Sequence, residues 1–235
     1  MTNLLLIIIE ILVCFFGIVL ISKLLGKEGL IAWIAIASIL ANILTAKGVV
    51  IFGLDYTLGT VLFASTFLAT DILTEMYGKK VATKGVYVGL IATLSLIIFS
   101  QLGLKYIPAA FSLEIQGALE TLFALSLRVS ISSLVMYFIA NLLDIYIYDY
   151  FRKKTKGKHK WARNNIATVV CNGLENFLFM FGAFIGVPGF TIKTIILMAL
   201  TTSLIEIIVA LLDTPFLYLA TTKKDKLKIS EGETE

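Results

Sequence analysis

From Leu4 to Leu25 the chain reads LLLIIIEILVCFFGIVLISKLL, with Glu10 and Lys23 its only charged residues. A helix rises about 1.5 Å per residue, so about 20 such residues cross a hydrocarbon layer about 30 Å thick. Six further runs meet that length: Leu30–Val50, Leu58–Tyr77, Val81–Leu104, Leu119–Phe151, Asn165–Val187 and Ile192–Ala220. The expected fold class is therefore all-α, a polytopic membrane helix bundle with seven crossings. Composition agrees. The chain is 58% hydrophobic and 15% charged, against about 45–50% and about 25% in soluble domains. The first run lacks a basic leading segment and a small-residue cleavage site, and it is too long for the core of a secretory signal. It is expected to remain in the mature protein.

Other classes fall away quickly. The net charge is +4, but the basic residues lie between apolar runs rather than along one soluble face, so nucleic acid is not an expected partner. Cys14 and Cys171 both stand inside apolar runs and read as small buried hydrophobes. His159 is the only histidine and sits in a lysine-rich loop. No second His or Cys stands at metal-ligand spacing, so no metal is expected. The sequence carries no Walker loop, dinucleotide fingerprint or nucleophile elbow, and no cofactor is expected. The spans contain no histidine, no H-E-x-x-H pair and no serine–lysine arrangement, which argues against an intramembrane enzyme.

Basic residues set the expected orientation. If the C-terminus is cytoplasmic, the inside segments carry sixteen Lys and Arg, seven of them between Arg152 and Arg163. The outside keeps three, Lys47, Lys105 and Lys193, and Arg128 lies within a span. The expectation is an N-terminus outside and a C-terminus inside. Small-residue pairs at Ala37/Ala41, Gly85/Gly89 and Gly182/Gly186 read as helix packing. LLDIYIY from Leu142 and LLDTPFLY from Leu211 form a faint echo, too short to establish a repeat. Residues 223–235 are expected to form a polar, disordered tail.

Eight ionisable residues interrupt the runs: Glu10, Asp71, Glu75, Arg128, Asp144, Glu175, Glu206 and Asp213. Each costs about 2.5–3.5 kcal/mol near the bilayer centre, so such residues usually face a bundle interior or a wet cavity. Seven are acids, an excess that protonation, a cation or a donor-rich ligand can neutralise. The sixth run places Thr168, Asn172, Glu175, Asn176 and Phe179 at helical spacing, a polar stripe with an aromatic end. The second run adds Asn42, the third Asp71 and Glu75, the fifth Asn141 and Asp144, the seventh Glu206. Carboxylates and amides beside aromatic faces suit a flat heteroaromatic ligand. A guanine-like edge presents N–H groups that one carboxylate accepts in pairs, while Phe67, Phe177 or Phe179 stacks on its face. The structural alternatives are pairing of Arg128 with an interior carboxylate, contact of Asp144 and Asp213 with the lysine-rich loops, and a packing role for Glu10.

Five stretches, IAWIAIASILANILTAKGVVIFG, LGTVLFASTFLATDILTEMYGKK, SLVMYFIANLLDIYIYDYFRK, WARNNIATVVCNGLENFLF and LLDTPFLYLA, resemble the queuosine precursor transporter family, also called the vitamin uptake transporter family. The resemblance runs from about Gly29 to Ala220. It implies a six-helix core over 29–222 similar to the substrate-binding components of energy-coupling-factor transporters, with residues 1–28 resembling the extra N-terminal helix of longer members. It implies a bacterial inner-membrane importer of 7-deazaguanine bases: 7-cyano-7-deazaguanine, 7-aminomethyl-7-deazaguanine or queuine, salvaged for tRNA modification. Asn42, Lys47, Asp71, Glu75, Arg128, Asp144, Arg163 and Asp213 match the family motifs. The chain departs from them at Cys171, Asn172, Glu175 and Asn176, where the family usually has Ser-Gln-x-x-Asp-Ser/Thr, and at Glu206, where it usually has lysine. That last reversal favours a more cationic ligand.

The substrate-binding residues expected are Asn42, Asp71, Glu75, Arg128, Asn141, Asp144, Asn172, Glu175, Asn176, Phe179 and Glu206. The expected partners are the 7-deazaguanine substrate and the lipid bilayer, with a homodimer left open. The alternative is a substrate-capture subunit of an ATP-driven vitamin or nucleobase transporter, with Ala37 and Ala41 as its docking face.

Overall fold

The computed structural model describes residues 3–51, 54–123, 127–156 and 158–222, with side chains described in all of these except 51, 54–57, 127–130 and 205. It is a helical bundle: α1 (Asn3–Leu44), α2 (Gly59–Tyr77), α3 (Lys79–Leu104), α4 (Leu113–Phe123), α5 (Leu127–Lys154), α6 (Lys160–Phe184) and α7 (Ile192–Ala220). Five of these, α1, α3, α5, α6 and α7, contain stretches long and apolar enough to cross a membrane. Their outer faces carry the apolar residues, such as Leu24, Phe99, Ile131 and Leu197, that a bilayer would cover.

α1 contains the first two expected crossings. A straight helix of 42 residues would be roughly 60 Å long. Instead the Asn3 amide donates to the Val50 carbonyl at 3.2 Å, so the start of α1 lies beside the segment just past its end. The reversal occurs at Gly26 (φ 60°, ψ −139°), a region open essentially to glycine alone. The turn is tight. A Cβ on Gly29 would fall 2.6 Å from Leu25 Cβ and 2.7 Å from Ile21 Cγ2.

The second crossing ends at Leu44 rather than Val50. Its last expected residues form a hairpin instead, β1 (Gly48–Ile51) with β2 (Leu54–Thr57), in antiparallel register Gly48 to Thr57. β-Branched Val49 and Val50 favour that extended pairing. The fifth crossing begins at Leu127, because residues from Leu119 to Phe123 belong to α4.

α2 is the axis of the bundle and is buried along nearly its whole length, packed by α1, α3, α5 and α7. It is also the long helix that falls short in apolar character, because its neighbours rather than lipid surround it. The hydroxyls of Ser65, Thr66, Thr70 and Thr74 donate to backbone carbonyls three or four residues earlier, which satisfies them without outside partners. Glycine lets α3 approach. A Cβ on Gly85 would lie 2.8 Å from Ile34 Cδ1, and one on Gly89 would meet the Tyr137 hydroxyl.

Basic residues collect at one end of this bundle. The Gly26 turn lies against Tyr77 at the end of α2, Arg152 of α5 reaches Thr74, and Lys160 of α6 reaches Thr221 beyond α7. Lys23, Lys27, the α2–α3 turn and the α5–α6 loop therefore share that end.

Candidate functional site

At the opposite end, where α1 finishes and α2 begins, a cavity of about 260 Å³ opens among the helices. That is near the lower end of the usual size of small-molecule sites, about 300–1,000 Å³. Its polar lining includes Asn42 of α1, Thr93 and Gln101 of α3, Tyr137 of α5, Glu175 and Asn176 of α6, and Glu206 of α7. Phe63, Phe123 and Phe179 supply aromatic faces, and the described lining contains no Lys or Arg.

Helical spacing sets this lining. Glu175, Asn176 and Phe179 lie within one turn of α6, which carries all three to one side. Asn176 donates to Glu206 Oε2 at 2.6 Å and sits 3.3 Å from Ser203 Oγ, tying α6 to α7. Glu175 and Glu206 lie close enough to repel one another. Glu175 Oε2 accepts no hydrogen bond from the described residues. Opposite them, the Asn42 amide donates to the Ser38 carbonyl at 2.8 Å, and Ser38 Oγ lies 3.2 Å from the Tyr137 hydroxyl. Phe63 stacks edge-on with Phe67 and Tyr137, at 5.5 and 5.8 Å between ring centres. The cavity thus offers two carboxylates, three amides and aromatic walls, chemistry suited to a flat ligand rich in N–H donors or bearing a positive charge.

Below the cavity a polar column continues toward the basic end. On α5 it passes from Tyr137 to Asn141, Asp144 and Tyr148; on α6, in the reverse direction of the chain, from Asn176 to Asn172 and Thr168. All are buried. Asp71 of α2 meets Asp144 here, one turn before Glu75. Asp213 of α7 stands near them but accepts from Asn164 at 2.7 Å. Asn172 is buried, and neither of its amide atoms pairs with a described residue.

Glu75 closes the column. Arg163 of α6 donates to its Oε2, Arg152 Nε of α5 lies at 3.4 Å and Lys160 Nζ at 3.7 Å. Arg163 also donates to the Lys158 carbonyl at 3.0 Å and packs over the Tyr148 ring.

Of the residues expected from sequence, Asn42, Glu175, Asn176, Phe179 and Glu206 line the cavity. Asn141, Asn172, Asp144 and Asp71 form the column below it, and Glu75 lies in the ionic layer. The Arg128 side chain lies outside the described residues, as does the tail over 223–235. Phe67 and Phe177 pack within the protein rather than against the cavity. Glu10 is half-buried on the first limb of α1, beside Cys14 and away from the column. Phe63 and Tyr137 escaped sequence reasoning. Their spacing offered a signal, since Phe63 is two turns from Asp71 and Tyr137 is one turn from Asn141.

Comparisons with known proteins agree with this architecture. A family model described as "Putative vitamin uptake transporter" matches residues 57–220, which takes in α2 to α7. A curated protein of Bacillus subtilis (strain 168), named "Probable queuosine precursor transporter", is 35% identical over 207 residues, covering 88% of this chain and 89% of its own. No solved structure matches. With most of its length matched and its apolar helices arranged as a bundle, the chain is a multi-pass membrane protein belonging to the vitamin uptake transporter family.

Proposed function

We propose that the protein imports queuosine precursors, 7-deazaguanine bases, across the bacterial inner membrane for salvage into tRNA. The observation that carries this reading is the cavity in which Glu175, Asn176 and Glu206 meet Asn42 and Tyr137 between Phe63 and Phe179. A guanine-like edge places its N1–H and exocyclic amine against a carboxylate, and Glu175 has an unengaged oxygen for that contact. Glu206 adds a second acidic group for a cationic substituent, as on the aminomethyl compound. The name of the Bacillus subtilis relative points to the same substrate class. The basic end belongs in the cytoplasm by the distribution of Lys and Arg, so the cavity lies in the outer half of the membrane.

A substrate-capture subunit would present a face for its partner. Ala37 and Ala41, the small residues suggested for that face, are buried inside the bundle. The test is uptake of labelled 7-cyano-7-deazaguanine, 7-aminomethyl-7-deazaguanine and queuine into cells unable to make them, with and without this chain. Uptake that depends on the chain supports import. Equal uptake in its absence for all three compounds rejects this substrate class.

A further inference from the structure

Between the cavity and the ionic layer, two carboxyls from different helices face one another. Asp71 of α2 and Asp144 of α5 are fully buried and in contact. Their four oxygens accept no well-formed hydrogen bond from the described residues, and the neutral Thr168 hydroxyl of α6 stands beside Asp144. The neighbouring helices do little to neutralise them. Arg163 of α6 acts on Asp71 but is engaged by Glu75. Tyr148 of α5 and Cys171 of α6 are near but neutral in their ordinary forms. Asp213 of α7 adds a third acid, and Asn164 already donates to it. No charged side chain of α1 or α3 acts on Asp71 among the described residues.

Two carboxylates held together in a dry interior repel strongly, and a proton shared between their oxygens removes one charge and supplies a donor. A metal ion answers the same need less well. Among the described residues no three His, Cys, Asp or Glu side chains stand where they could hold one. The surroundings suit proton passage. Asn172 and Thr168 are buried and aligned along α6 between Glu175 at the cavity and the Asp71–Asp144 contact, with Thr168 beside Asp144 and the Asn172 amide unpaired among the described residues. On α5, Asn141 stands one turn above Asp144 with its carbonyl oxygen unpaired.

We propose that Asp71 and Asp144 form a proton-binding site that couples substrate import to proton entry. The inference rests on the transport reading of the cavity. One proton enters from the cavity side, resides between the two carboxyls while the pair carries a single negative charge, and leaves at the basic end. The substrate is unchanged. The Glu75 layer lies one turn further on, so proton release requires the Arg163 and Lys160 contacts to rearrange.

Two measurements on the full-length protein in lipid test this. The first is infrared spectroscopy without any substrate. A protonated-carboxyl band at neutral pH that disappears in both Asp71→Asn and Asp144→Asn is expected, because the introduced amide donates to the remaining carboxylate. A band untouched by either substitution, or no band at all, overturns the proton site. The second is uptake of the labelled deazaguanines into proteoliposomes under an imposed proton gradient. With one proton per substrate, about one pH unit should accumulate substrate roughly ten-fold, and a protonophore should abolish the accumulation. Uptake that proceeds but ignores the gradient overturns the coupling while leaving import intact. If none of the compounds is taken up, the substrate reading fails, and the infrared result alone decides whether the site exists.

Discussion

Arg163, in the first turn of α6, donates from a fully buried guanidinium to the equally buried carboxylate of Glu75 at the end of α2. Arg152 and Lys160 approach the same carboxylate from outside. The four residues join α2, α5 and α6, and Lys160 extends the contact to Thr221 after α7.

Removing one partner of a buried ion pair leaves the other charge unanswered, at about 3–5 kcal/mol. Glu75→Ala is therefore expected to lower the thermal midpoint of the purified protein substantially. Adding Arg163→Met should restore part of the loss, because the stranded cation is gone. Additive losses in the double variant would show that the two side chains do not depend on one another.

Orientation can be read directly. Lys156 and Glu114 are both exposed and lie toward opposite ends of the molecule. With cysteine at each position in turn, an impermeant thiol reagent applied to intact cells should label only the one at Glu114. Cys14 and Cys171 are buried and should stay silent. Labelling at Lys156 would reverse the assignment of inside and outside.

Glu175→Gln replaces an acceptor with an amide that presents a donor to the donor edge of the base. A charge-assisted hydrogen bond contributes about 1.5–3 kcal/mol, so every deazaguanine should bind roughly 10- to 150-fold more weakly. Titration of the purified variant checks this. Undiminished affinity would move base recognition to another part of the cavity.

Glu206→Lys reverses the charge that Asn176 holds toward the cavity. The ratio of affinities for the aminomethyl and cyano compounds should shift against the aminomethyl one, since only that ligand is cationic. Parallel titrations give the ratio directly. An unchanged ratio would remove Glu206 from charge recognition.

At Gly26, any side chain must adopt a backbone conformation costing about 1–3 kcal/mol, with its Cβ 3.2 Å from the Tyr77 hydroxyl. Gly26→Ala should therefore destabilise the protein measurably. Gly17→Ala, on the same helix with open space around it, should not. Equal thermal midpoints for the two variants would mean that the reversal does not depend on glycine.

The crossings were legible because hydrocarbon thickness imposes a length that apolar runs must meet. The β1–β2 hairpin was not, since Val49 to Ile51 is too short a run for periodicity to separate strand from helix. Glu175, Asn176 and Glu206 were legible as interior residues because each is expensive in lipid. Arg163 was harder. Counting charges placed it with the lysine-rich loop, yet it is among the largest fully buried side chains. Its cue lay in the imbalance of seven interior acids against one base, which calls for cations from the helix ends. Phe63 and Tyr137 look like lipid-facing aromatics until their register with Asp71 and Asn141 is considered. Asp71 and Glu75 do stack on one helix face, but only the three-dimensional arrangement shows that one meets acids and the other bases.

The enclosure of α2 has a consequence for synthesis. This helix emerges from the ribosome third, carrying Asp71 and Glu75, while the cations that hold Glu75 belong to α5 and α6 and are still untranslated. In the nascent chain, α2 can shelter against the folded-back limbs of α1 and against α3, but its acidic end has no counter-charge until Arg152 at the end of α5 and then Arg163 of α6 arrive. The enclosure of α2 is therefore completed late. A chain stopped before Arg163 lacks that cation and α7, so both the pairing of Glu75 and the packing around α2 are finished only when α6 and α7 enter the membrane.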